Sequence, residues 1–303
     1  MTFNIVRWRT AWFALSGALL AASVAAVAVW GLRFGIDFTG GSLLGFRFST
    51  RPAPAELAER IKAAGPDIGE AVVQPVGATE AQVRTKALSQ EQYANVVQAL
   101  RQAYPDLEEL RFDAVGPVIG EELRQKSLRG IILALLLILA YIAYTFRKVS
   151  APVESWKYGV VTMVAALHDI LIPVGIFAAL GRFRGIEIGT PFVAAMLTIL
   201  GYSITDTIVV LDRVRENLPK MKASFAEAVE FSLRQTYVRS IYTSCTTLIV
   251  LLAIFFFGGR SLHEFTLAMI IGILVGTYSS IFVAPMVLVA WNEWRLAKAA
   301  KKV

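Results

Sequence analysis

The stretch Thr190–Leu211, TPFVAAMLTILGYSITDTIVVL, decides the fold. As a helix it is long and apolar enough to cross a hydrocarbon core of about 30 Å. It nevertheless carries Asp206. A carboxylate near mid-bilayer costs about 2.5–3.5 kcal/mol on insertion scales. A membrane helix that keeps one turns it to a polar interior, either to carry an ion or proton or to hydrogen-bond neighbouring helices. At helical spacing, Thr198, Tyr202, Thr205, Asp206, Val209 and Arg213 mark one side. Lipid penalises such a stripe, so it is expected to face other helices.

Working outward, further apolar runs predict five more spans: Ala11–Gly31, Leu128–Phe146, Tyr158–Leu180, Tyr242–Phe257 and Phe265–Trp291. Apolar residues make up 56% of the chain, which agrees with a polytopic membrane protein. The net charge of +7 needs no nucleic-acid partner. Arg7, Arg9, Arg147, Lys148, Lys157, Arg213, Arg215, Lys220, Lys222, Arg234, Arg239, Arg295, Lys298, Lys301 and Lys302 fall on one side of a six-span topology. The two short loops opposite hold Arg182, Arg184 and Arg260. By the positive-inside rule both termini are cytoplasmic. A cleaved signal peptide ending near Ala26-Val27-Ala28 competes for the N-terminus, but its apolar run exceeds a usual signal core. Cys245 is the only cysteine, so neither an intrachain disulfide nor a cysteine-based metal site is available.

The expected organisation is a tail and first span over 1–31, an extracytoplasmic α+β domain over 32–127, a bundle over 128–291 with a cytoplasmic loop 212–239, and a tail over 292–303. Within the domain, Ser42–Phe48, Ile68–Val76, Glu80–Thr85 and Glu108–Val115 read as strands. Pro54–Ala64 and Ser89–Ala103 read as helices, with Ser89 and Gln92 set for a capping box. The order strand-helix-strand-strand-helix-strand is the ferredoxin-like plan. Gly-rich flanks bound the domain: Gly35, Gly40 and Gly41 before it, Gly116, Pro117 and Gly120 after it. They read as turns, or as a hinge. Ser224–Phe231 reads as an amphipathic helix at the cytoplasmic surface.

Other polar residues cluster in the spans. Arg239, Thr243, Thr246 and Thr247 form a ladder opening span five, with Ser240 and Ser244 beside it, and His168-Asp169 interrupts span three. Were these helices neighbours of span four, Asp206, Arg239 and Asp169 would share one hydrated cluster. Arg239 also reads as a snorkelling topology anchor, and His168 as a satisfied core histidine. Gly272 and Gly276 in span six form a small-residue packing face. The chain lacks a P-loop, a His-Glu-x-x-His zinc motif and a Gly-x-Ser-x-Gly elbow, so neither an ATPase of the P-loop kind, nor such a metalloprotease, nor such a hydrolase is expected.

Several strings resemble the SecF family of protein-export membrane subunits: Gly35–Gly41 (GIDFTGG), Gly116–Leu123 (GPVIGEEL), Leu200–Asn217 (LGYSITDTIVVLDRVREN), Tyr242–Leu252 (YTSCTTLIVLL), Phe255–Gly259 and Gly272–Phe282 (GILVGTYSSIF). They occur in order and at matching topological positions. The resemblance implies a multi-pass protein of the bacterial cytoplasmic (inner) membrane, similar in plan to resistance-nodulation-division transporters. It implies pairing with SecD, association with the SecYEG channel and with YajC and YidC, and use of the proton gradient to help late-stage preprotein export. It assigns proton movement to Asp206 and Arg239; Asp169, Thr205 and His168 are weaker candidates read from the residues themselves. Thr205 stands where the family commonly has Asn before the aspartate. No enzyme activity, cofactor or metal is implied, and the coupling ion, H⁺ or Na⁺, stays open. Two other readings remain: a proton-coupled small-molecule exporter of the same superfamily, and a subunit whose charges only lock helices during assembly.

Overall fold

Backbone hydrogen bonds cannot be left open in hydrocarbon, so the apolar runs fold as helices. In the computed structural model, which describes residues 4–65, 68–145, 154–259 and 262–301, six helical stretches among those residues are long and apolar enough to span a membrane. Arg147, Lys148, Arg260 and Lys302, read above as topology signals, lie outside the described residues. In chain order the elements are α1 (Arg9–Trp30), α2 (Ile36–Thr39), β1 (Gly41–Arg47), α3 (Pro54–Ala63), β2 (Val72–Val76), β3 (Glu80–Thr85), α4 (Gln90–Ala103) and β4 (Glu108–Val115). The helices α5 (Pro117–Thr145), α6 (Ser155–Arg184), α7 (Thr190–Asn217), α8 (Phe225–Phe257), α9 (His263–Phe282) and α10 (Ala284–Ala300) follow.

The chain divides into two compact units. One comprises Arg33–Arg129 together with Glu187–Thr190, the latter being the connection between α6 and α7. Its antiparallel sheet has the order β2-β3-β1-β4, the ferredoxin-like arrangement expected from the sequence. Alternation does the sorting: Ala81, Val83 and Thr85 of β3, and Leu44 and Phe46 of β1, are buried. Leu44, Phe46, Ala81 and Val83 pack with Leu57 and Ile61 of α3 and Val96 and Leu100 of α4 in one core. Pro75 is tolerated because β2 is an edge strand. Ser89 and Gln92 complete the expected capping box on α4. The strand expected over Ile68–Val76 begins only at Val72. Gly69, at φ +72°, turns the chain there, while Ile68 is buried in the core.

The second unit comprises Met1–Leu32, Gly130–Ile186 and Pro191–Val303. Small residues set its closest packing. A Cβ on Gly175 of α6 would lie 2.3 Å from Ser23 Cβ of α1, and one on Gly272 of α9 would lie 2.1 Å from Ile199 Cδ1 of α7. The separate surface helix expected at Ser224–Phe231 is instead the first part of α8, which runs unbroken through the fifth span. Ser224 and Glu227 form a capping box, and no Pro or Gly interrupts the helix before Gly258. Ala228, Val229 and Leu233 are buried, and buried Glu230 accepts a 3.0 Å bond from the Val6 amide. The stretch is therefore helical as expected and packs on the bundle through these residues. The sixth span breaks at Val283, where α9 hands over to α10 with Pro285 in its first turn.

Candidate functional site

Asp206 lies on α7 facing α8 and is half-buried. Its Oδ1 accepts a 2.6 Å hydrogen bond from Ser240 Oγ of α8, Ser280 of α9 also faces the carboxylate, and the buried Oδ2 meets no donor at hydrogen-bonding geometry. Arg239 lines the same groove between α7 and α8 and is exposed, so the donor to the carboxylate is Ser240 rather than the guanidinium. Thr198, Thr205 and Thr243 also line the groove and are exposed. Of the stripe expected to face other helices, Tyr202, Asp206, Val209 and Arg213 are half-buried, whereas Thr198 and Thr205 are exposed on this chain. Ser203 and Thr207 turn inward, while Thr198 and Thr205 look outward from this chain.

The outward hydroxyls are satisfied within their own helices. Thr198 donates to Ala194 O at 2.8 Å, Thr205 to Gly201 O at 2.8 Å and Thr243 to Arg239 O at 2.9 Å. Thr205 therefore does not serve as the donor to Asp206. Inward, Tyr202 Oη donates to Ser244 Oγ at 3.3 Å, and Ser244 is 2.5 Å from Thr277 Oγ1 of α9. Thr207 Oγ1 lies 3.1 Å from Ser280 Oγ of α9.

Asp169 belongs to a different cluster. It is fully buried on α6, and its Oδ2 accepts hydrogen bonds from Ser203 of α7 and, at 2.6 Å, from Ser279 Oγ of α9. Its Oδ1 is 2.8 Å from His168 Nδ1, and the buried Nε2 of that ring has no hydrogen-bond partner. Of the cluster anticipated on the condition that their helices were neighbours, Asp206 and Arg239 line one groove, whereas Asp169 is not among its lining residues and bonds to Ser203 of α7 and Ser279 of α9. Gly276 makes room for this junction, since a Cβ there would lie 3.0 Å from Ser203 Cβ and 3.6 Å from Asp169 Oδ2.

The Gly-rich flanks meet within the sheet-bearing unit. Gly40 has φ +69°, and a Cβ on it would lie 2.8 Å from Pro117 Cα. A Cβ on Gly120 would lie 2.8 Å from the Gly40 nitrogen, and one on Gly41, at φ +125°, 2.7 Å from Thr85 O. Gly116 is unconfined, and Gly35 donates its amide to Ile188 O at 2.9 Å. From the sequence, Ser240 stands beside the Arg239 ladder without a role of its own, and Ser203 and Asp37 have none. Ser240 had a usable signal, being one residue past Arg239 and one helical turn before Ser244.

Residues 95–294 match the family model described as protein export membrane protein SecD/SecF, C-terminal, and residues 26–50 match the SecD/SecF GG motif. The protein translocase subunit SecF of Thermobaculum terrenum is 43% identical, over 96% of this chain and 94% of that protein. The protein translocase subunit SecDF of Thermus thermophilus is 38% identical over 96% of this chain, which spans only 39% of that longer relative. The crystal structure of SecDF, a translocon-associated membrane protein from the same organism, superposes with a TM-score of 0.83 at 35% identity. That match covers 97% of this chain and 39% of the SecDF chain.

Proposed function

The chain belongs to the SecF family of protein translocase subunits, and on that premise we propose that it works with SecD to promote late-stage preprotein export, drawing on the proton gradient through Asp206. The observation that carries this reading is the state of that carboxylate. One oxygen is held by Ser240, and the other is buried without a hydrogen bond, beside a groove open on the surface of the chain. A carboxyl so placed can take up a proton on one side and release it on another. Each charge moved through the potential supplies about 2.3 kcal/mol per 100 mV. Arg239 lines the same groove as the carboxylate.

Exposed Arg239 and the half-buried Asp206 beside it are costly against acyl chains. We assign the covering of this face to SecD, with SecYEG, YajC and YidC as further associates. The SecDF relative, in which a SecF-like part occupies 39% of one polypeptide, supports SecD as the partner. Both termini are assigned to the cytoplasm and the sheet-bearing unit to the opposite side. The chain acts as a translocation subunit, not as an enzyme. The meeting of Gly40, Pro117 and Gly120 supports a clasp that moves as one piece, in place of two independent hinges. Asp169 and His168 are assigned to holding α6, α7 and α9 together.

The test is Asp206→Asn in membrane vesicles carrying the chain with SecD and the channel. Loss of the gradient-stimulated part of export, with normal complex abundance, is expected. Normal gradient-dependent export by that variant would contradict the proposal, and loss of the complex itself would move Asp206 to an assembly role.

A further inference from the structure

The connection between α6 and α7 is tied into the sheet-bearing unit through the segment that precedes β1. Ile188 donates its amide to Arg33 O at 2.7 Å and accepts from the Gly35 amide at 2.9 Å, forming a short parallel bridge between Phe34 and Ile188. Arg84 of β3 pairs with Glu187 at 2.9 Å and also donates to Thr39. Asp37 completes the junction. Its Oδ2 accepts from both the amide of Thr190, at 2.7 Å, and its hydroxyl, at 2.8 Å.

Thr190 is the first residue of α7, the helix that carries Asp206 about four turns further along. The first amides of a helix lack internal partners, and Pro191 has none to offer. A carboxylate at that end also meets the positive pole of the helix. Asp37 thus supplies, from a distant part of the sequence, the cap that α7 does not carry itself.

We propose that Asp37 is a positioning residue that fastens the first residue of the Asp206-bearing helix to the domain, so that displacement at one end is passed to the other. The inference rests on the gradient-driven reading above, and it names the point where ion movement becomes mechanical work. The contact is a permanent strut, kept closed throughout the cycle. Breaking it uncouples export from ion movement without stopping the ion.

Three variants test this in the assembled complex with SecD. Asp37→Ala is expected to cut gradient-stimulated export at least tenfold, leaving complex abundance and gradient-driven ion flux within twofold of normal. Asp37→Asn, which keeps an acceptor oxygen but no charge, falls between. Asp206→Asn, run alongside, loses both flux and export. Normal export by Asp37→Ala overturns the strut, and so does a parallel loss of flux and export in an intact complex. Normal export by Asp206→Asn overturns the underlying reading instead. Should Asp37→Ala fail to assemble, Asp37→Cys with Thr190→Cys in a Cys245→Ser background decides. Export is then expected to be low with free thiols and restored at least fivefold by a short bis-thiol cross-linker. Cross-linking that leaves export low overturns the proposal.

Discussion

Ser240 Oγ of α8 lies 2.6 Å from Asp206 Oδ1 of α7, a direct tie between the two helices that line this groove. Ser240 is buried while Arg239, the adjacent residue, is exposed. The hydroxyl therefore fixes the carboxylate's orientation, and the guanidinium contributes at longer range.

Ser240→Ala removes that donor and leaves a half-buried carboxylate with one bond fewer. A hydrogen bond to a charged group contributes about 1.5–3 kcal/mol. Gradient-stimulated export should fall about tenfold, a loss of roughly 1.4 kcal/mol. Ser240→Thr keeps the hydroxyl and should remain within about twofold; equal loss in both variants, measured in vesicles, would deny the hydroxyl this role.

Gly272→Ala drives a methyl into the Ile199 side chain, whose Cδ1 would lie 2.1 Å away. Overpacking of this kind costs about 1–3 kcal/mol. The melting temperature of the purified complex should drop, and Ile199→Ala in the same chain should recover much of the loss. Two independent, additive destabilisations would show that the helices do not meet there.

Gly40→Ala combines a left-handed backbone at φ +69° with a contact 2.8 Å from Pro117 Cα, which cannot swing away as a side chain end does. The strained backbone alone costs about 1–3 kcal/mol. The sheet-bearing unit in the full chain should become readily cleaved by added protease. Gly116→Ala, where a new Cβ meets nothing within 4 Å, should resist like the parent.

Asp169→Ala strips a fully buried junction of its acceptor and leaves the hydroxyls of Ser203 and Ser279 without it. Leaving a buried polar group without its partner costs about 1–3 kcal/mol. The amount of folded, assembled chain should fall severalfold on a native gel. Ser279→Ala, which removes one donor of the set, should cost less. A fully assembled Asp169→Ala complex with altered ion flux would return Asp169 to the proton path.

Much of this architecture was legible because periodicity carries it. Glu80–Thr85 and Glu108–Val115 emerged with their bounds intact, since alternation and flanking turns mark them on both sides. Asp206 was visible because its cost in an apolar run is large. The rest depends on tertiary neighbours. The continuity of α8 was missed because charged and polar residues between Phe231 and Tyr242 depress the apolar signal without breaking the helix. Ser240 was hard to single out because serine is common in these helices and its burial depends on α7. The clasp of Gly40 with Pro117, and the bond from Thr190 to Asp37, join segments far apart in sequence, and no local pattern announces them.

The most direct measurement is ion current across proteoliposomes holding the chain with SecD, under an imposed gradient and with all other conditions matched. The account predicts a current that Asp206→Asn abolishes while Asp37→Ala leaves it within twofold. An undiminished current in Asp206→Asn would contradict it.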